Sequence, residues 1–189
     1  THVHFDVFLA NGEAGAVLER ARLANVGRMV AVGGSRDSNR MAVDIARAYP
    51  DRIRAAIGYA RDQADSDCPA DELETQIDDP SVVAIGETGL DFERDPTPKA
   101  AQILLFESML SLALRKTLPV VVHCRNAEEA VAERLRLHAA AWPGATGRIG
   151  VLHCFTGSKA FAMEMGALGF CISFSGILTF KNANAIRQA

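Results

Sequence analysis

What this sequence lacks narrows it first. No apolar run approaches the roughly 20 residues of a bilayer-spanning helix, and no signal-peptide pattern opens the chain. Basic charge is not in excess: 20 Lys and Arg stand against 23 Asp and Glu, a net charge of -3. A protein that grips nucleic acid by bulk electrostatics is usually basic, so any nucleic-acid contact here has to be local. No glycine-rich phosphate fingerprint follows the first strand-like run, which weakens a dinucleotide reading. No Gly-X-Ser-X-Gly elbow is present, which counts against a serine hydrolase. The four cysteines, Cys68, Cys124, Cys154 and Cys171, have no regular spacing. Three of them lie in or beside apolar runs, where buried free thiols are common. This usage fits a reducing cytosol and not a disulfide framework. The expectation is a cytoplasmic protein with no membrane contact and no evident obligate protein partner.

What is present is organised around Val82–Phe92, VVAIGETGLDF. The run Val82-Val83-Ala84-Ile85 is apolar and β-branched, the pattern of a strand buried on both faces. It meets a turn at Gly86 and presents Glu87 at its end. In parallel α/β proteins, working residues sit at the carboxyl ends of strands. Three other runs end in histidine: His4 closes the start of the chain, His123 closes Leu118–Val122, and His153 closes Ile149–Leu152.

Strand and helix patterns alternate along the whole sequence. Strands are expected at 1–4, 29–32, 53–58, 82–87, 119–123, 149–153 and 170–174. Helical periods lie between them: 13–25, 35–49 with Ser35 or Asp37 as cap, a weak one through Leu73 and Ile77, 96–117 opened by Pro96 and Pro98, 127–141, and one after Ser158. Residues 61–67 read as a polar loop, and a last helix begins near Asn182. Seven alternations imply a parallel sheet with right-handed crossovers. Site residues on strands one, four, five and six favour a TIM-type (β/α) barrel, whose strand ends all face one mouth. The expectation is a single (β/α) barrel domain over residues 1–189 with seven units visible. It would lack the eighth strand at its C-terminus and be slightly shortened at its N-terminus.

His2 and His4 are two apart, so on a strand they point the same way. Together with Glu87, His123 and His153 they make a site for divalent metal, since imidazole and carboxylate suit zinc, manganese, iron or nickel. Five ligands exceed what one tetrahedral ion needs beside water. A carboxylate between two pairs of histidines can bridge two ions about 3.5–4 Å apart, the arrangement that activates water for phosphoryl displacement. Any one of these histidines, alone, reads as a core imidazole bonded to backbone. Four of the five histidines at strand ends make that reading improbable for the set. The fifth, His138, lies mid-helix and has no assigned role. Arg125, two beyond His123, should face the same mouth and is a candidate phosphate anchor; a salt bridge, for instance to Asp91, is the equal alternative. Ser175 and Lys181, after strand seven, are further substrate-binding candidates, though an ordinary loop would look the same. Asp6 or Asp91 could orient a ligand imidazole. Cys124 and Cys154 directly follow site histidines, so on regular strands they face the other way and pack against helices.

The set THVHFD, GETGLDF, PVVVHCRNA, GVLHCFTGS and the serine–glycine turn at Ser175-Gly176 resembles the TatD-type metal-dependent hydrolases. These are amidohydrolase-like (β/α) barrels, several of them deoxyribonucleases. The resemblance implies that His2 and His4 hold one metal and His123 and His153 the other, with Glu87 bridging as the catalytic carboxylate. It implies phosphodiester hydrolysis, often 3′-to-5′ on DNA, with magnesium, manganese or zinc. Two departures stand out. Gly58-Tyr59-Ala60-Arg61 replaces the family's Gly-X-His-Pro turn. The family's further aspartate, from strand eight, has no counterpart in this sequence. Alternatives are a related hydrolase of a small phosphoester, amide or lactone, which the pI of about 5.9 keeps open, and a catalytically impaired metal-binding barrel.

Overall fold

Each apolar run becomes a parallel strand in a computed structural model that describes residues 2–66, 70–144 and 149–189. The strands are His2–Val3 (β1), Met29–Gly34 (β2), Ile53–Tyr59 (β3), Val82–Asp91 (β4), Val120–Arg125 (β5), Gly150–Leu152 (β6) and Phe170–Ile172 (β7). They pair in sequence order from β1 to β7, with every pairing parallel. The helices are Asp6–Ala10 (α1), Ala14–Leu23 (α2), Arg36–Ala48 (α3), Ala70–Ile77 (α4), Lys99–Lys116 (α5), Glu128–Ala141 (α6), Lys159–Ala167 (α7) and Asn184–Gln188 (α8). Two short 3-10 turns, Arg61–Gln63 and Gly176–Thr179, follow β3 and β7.

The sheet is curled. Five strand spacings separate β1 from β6, about 24 Å in a flat sheet. Yet the rings of His2, on β1, and His153, just past β6, stack with centroids 4.1 Å apart. Alternation along each strand divides the side chains between two layers. Ile85, Val120, Val122 and Leu152 face outward into the main core with helical residues such as Phe106, Leu135 and Met165. Val32, Ala56, Ala84 and Val121 face inward, with Val30 and Val151 against them. Valine and alanine suit that narrow interior. A cavity of about 320 Å³ remains there, roofed by His2 and His153. This is the TIM-type arrangement that the alternating pattern predicts, with seven strands.

Local signals act as expected at several helix ends. The Ser35 hydroxyl accepts from the Ser38 N–H in a reciprocal capping box. Ser158 accepts from the Phe161 N–H at the start of α7. Pro98 sits at the N-cap of α5, one position before the first helical turn. Leu73 and Ile77 of α4 are buried, as their period requires. The short α1 is not anticipated by the sequence: five residues with none buried leave no periodic signal. Cys68, the end of the 61–67 loop and Thr1 lie outside the described residues.

One difference matters for the site. Gly86 is not a turn that ends a strand; β4 continues through Glu87 to Asp91. The register against β5 shifts between Ile85 and Thr88, where three steps on β4 oppose two on β5. That extra residue is a bulge, a device that re-aims a side chain. Simple alternation from inward-facing Ala84 would send Glu87 outward; the bulge returns it to the interior. Glycine is required beside it. Gly86 has φ 151°, and a Cβ there would lie 2.7 Å from the Val121 Cβ and carbonyl oxygen.

Candidate metal centre

The bulge aims Glu87 at the strand ends on either side of the curled sheet. It is 6% exposed, and its two oxygens have different company. Oε2 lies 3.4 Å from His2 Nε2, 3.5 Å from His4 Nε2 and 3.4 Å from His153 Nε2. Oε1 lies 3.5 Å from His123 Nδ1 and 2.6 Å from Arg61 Nη1. The five residues expected as ligands are therefore brought together, from β1 and the position just after it, β4, β5 and the turn after β6.

Neighbouring groups fix two tautomers. His4 Nδ1–H donates to the Val32 carbonyl at 3.1 Å, which leaves Nε2 bare toward Glu87. His123 Nε2–H donates to Asp91 Oδ2 at 3.1 Å, which leaves Nδ1 bare toward Oε1. Orienting a ligand imidazole through its other nitrogen is what metal sites do. Asp91 is held in turn by the backbone N–H groups of Glu93 and Arg94. Asp91 thus fills the orienting role, whereas Asp6, exposed at the start of α1, only lines the site cavity.

The electrostatics favour a cation. Burial alone would push the Glu87 carboxyl up. The imidazoles of His153, His2 and His4 outweigh that and hold it well below the usual carboxylate range. Burial lowers the proton affinity of His2, and of His123, where the Arg61 charge adds to it. His4 goes the other way, raised by its contact with Glu87. His2 and His4 Nε2 atoms lie only 3.0 Å apart, and His153 Nε2 is buried with no hydrogen-bond partner among the described residues.

These observations test the fit of a metal. Donors about 2.0–2.2 Å from one ion stand about 3.0–3.6 Å apart, depending on geometry. The separations around Oε2 fall in that range. Two donor groups, His2–His4–Glu87 and Glu87–His123–His153, have all their ligand atoms within 4.8 Å of one another. The donor set fits divalent metal, and the carboxylate is shared between two groups. Above it opens a cavity of about 420 Å³ that reaches Ser35, Arg61 and Cys154.

The substrate candidates fare unevenly. Arg125 lies beside a neighbouring cavity of about 350 Å³ with Asn126 and Phe155. Its ion pair is with Glu93 at 3.2 Å, not with Asp91, which is occupied by His123. Ser175 Oγ lies 2.9 Å from Cys154 Sγ. Lys181 is exposed between the second 3-10 turn and α8. Cys124 packs against the outer core as expected, and burial pushes its thiol up to about 12. Cys154 does not: β6 ends at Leu152, Cys154 adopts φ 46°, and its exposed thiol turns toward the site cavity. Arg61 is not among the expected site residues: it lies in a polar segment 26 positions from its partner Glu87, and the only signal at it is the departure of Gly58-Tyr59-Ala60-Arg61 from the family's turn.

A curled parallel β/α sheet with strand-end imidazoles around one buried carboxylate defines a metal-binding barrel of the TIM type. Comparison with known proteins narrows the class. The profile of the family described as TatD related DNase matches residues 1–189, and the chain belongs to that family. It is 37% identical over 193 residues to the uncharacterized metal-dependent hydrolase YabD of Bacillus subtilis, covering all of this chain and 72% of that protein. It is 36% identical over 168 residues to the 3′-5′ ssDNA/RNA exonuclease TatD of Edwardsiella piscicida, covering 88% of this chain and 63% of that one. The crystal structure of YjjV, a TatD homolog from Escherichia coli K12, superposes with a TM-score of 0.89 at 30% identity, covering 100% of this chain and 71% of that chain. The chain therefore spans between 63% and 72% of the length of these relatives. Among the described residues, no helix is long and apolar enough to cross a membrane.

Proposed function

We propose that this chain is a divalent-metal-dependent hydrolase of phosphodiester bonds, acting as a 3′-to-5′ exonuclease on DNA. The observation that carries the reading is the meeting of four strand-end imidazoles at the two oxygens of one buried carboxylate. In this reading His2 and His4 would hold one ion and His123 and His153 the other, with Glu87 available to both. Magnesium, manganese or zinc would serve. Such ions supply Lewis acidity toward phosphoryl oxygens and lower the pKa of water.

The protein's own part is positional. Glu87 stays ionised and keeps the two donor groups in register. Asp91 holds the His123 ring with Nδ1 bare. Arg125 offers a planar fork for a phosphate, and the Ser175 hydroxyl can donate to another phosphate oxygen. A local site of this kind needs no basic surface, in keeping with the net charge of -3. The free thiols of Cys124, Cys154 and Cys171 support a cytoplasmic setting.

The test is an assay of the full chain on end-labelled single-stranded DNA and on p-nitrophenyl phosphate, with each metal in turn. Stepwise shortening from the 3′ end, lost in Glu87→Gln, is expected. Hydrolysis of the small phosphoester without DNA cleavage would move the assignment to a small-substrate hydrolase. Full activity in Glu87→Gln would end the case for metal catalysis at this site.

A further inference from the structure

We propose that Arg61 is a built-in cation on Glu87 Oε1 that weakens the second metal position relative to the first. The inference rests on the reading of Glu87 as a metal ligand and goes beyond it. It starts from the inequality of the two carboxylate oxygens. Oε2 faces three imidazole nitrogens and, among the described residues, no guanidinium or ammonium group. Oε1 faces one imidazole, His123, and the Arg61 guanidinium at 2.6 Å.

The guanidinium is held there by its surroundings. Arg61 opens the 3-10 turn directly after β3. The preceding Ala60 N–H donates to the Gly34 carbonyl at 2.8 Å, tying the turn to the end of β2. The side chain is 24% exposed, and Nε stands 3.7 Å from Asp95 Oδ2. That Nε is buried and makes no hydrogen bond among the described residues, so the fork is set by Glu87 on one side and the Asp95 charge on the other.

A guanidinium keeps its charge throughout the accessible pH range. An ion bound through Oε1 and His123 would share its carboxylate oxygen with that charge at hydrogen-bond distance, in a largely buried site where screening is weak. An ion bound through Oε2, His2 and His4 would have no such neighbour among the described residues. The first position should therefore fill well before the second. Any ligand that draws the guanidinium off Oε1, an anionic phosphate above all, would open the second position. Metal occupancy and substrate binding would then be linked through one side chain.

The experiment is a manganese titration of the full chain by calorimetry, with electron paramagnetic resonance to detect spin coupling between neighbouring ions. Wild type should bind one ion tightly and a second at least about tenfold more weakly. Arg61→Gln removes the charge and leaves a shorter, neutral polar side chain; its second ion should tighten by about tenfold or more, and the coupled signal should appear at lower metal. Arg61→Lys retains the charge and should behave as wild type, and equal thermal melts would show that the variants fold. Two ions of equal affinity in wild type, or an unchanged second affinity in Arg61→Gln, would overturn the proposal. Wild-type binding by Glu87→Gln would instead overturn the reading of Glu87 as a ligand, and the inference with it.

Discussion

Asp91 Oδ2 and His123 Nε2 stand 3.1 Å apart on neighbouring strands, in the register that sets Asp91 opposite Arg125 and Gly89 opposite His123. The contact makes His123 present a bare Nδ1 to Glu87. In Asp91→Asn an amide can put a donor where the carboxylate accepted, and His123 would move its proton to Nδ1. Metal affinity should fall about 10–100-fold, read by calorimetry, with little change in the thermal melt because Asn can still accept the Glu93 and Arg94 N–H groups.

The same register has no room for a side chain at Gly89. Its φ is 128°, and a Cβ would lie 2.0 Å from the His123 carbonyl oxygen. Gly89→Ala must therefore part β4 from β5 at the site. A loss of about 3 kcal/mol or more in urea unfolding is expected, together with loss of metal binding.

His138 makes stability pH-dependent at a place away from the Glu87 cluster. It is 2% exposed on α6, beside the rings of Trp142 and Phe170, and burial lowers its pKa from 6.5 to about 4. The folded state therefore holds it neutral while the unfolded chain takes up a proton. Its stability contribution is complete above pH 6.5 and is lost as pH falls from 6.5 toward 4. The loss amounts to about 3 kcal/mol for a shift of this size. Urea midpoints at pH 7.5 and 4.5 measure it, and His138→Phe should show a smaller difference between the two.

Arg125→Ala tests the proposed phosphate anchor. A charged hydrogen bond to substrate is worth about 1.5–3 kcal/mol, so kcat/KM on DNA should fall by about 10–100-fold. Metal affinity should be unchanged, since Arg125 lies beside the adjoining cavity. An equal loss of metal binding would remove the anchor role.

Much of this site was legible because a parallel barrel turns strand order into geometry. Apolar runs ending in Glu87, His123 and His153, with the short His2–His4 stretch at the start of the chain, could converge only on a curled sheet, and they do. Ser35 and Ser158 were legible as caps because a cap acts within three residues. The bulge that aims Glu87 was not, since it depends on the pairing of β4 with β5 and not on either strand alone. Cys154 escaped its expected outward face because the backbone leaves the strand at His153. Arg61 was hidden for a third reason: its meaning comes entirely from a contact across the fold.

The most direct test of the central claim is an anomalous scattering map from crystals of the protein soaked in zinc. A peak bonded to His2 Nε2, His4 Nε2 and Glu87 Oε2, at about 2.0–2.2 Å from each, is the predicted result. Zinc bound elsewhere, with the Glu87 cluster empty at saturating metal, would contradict the account.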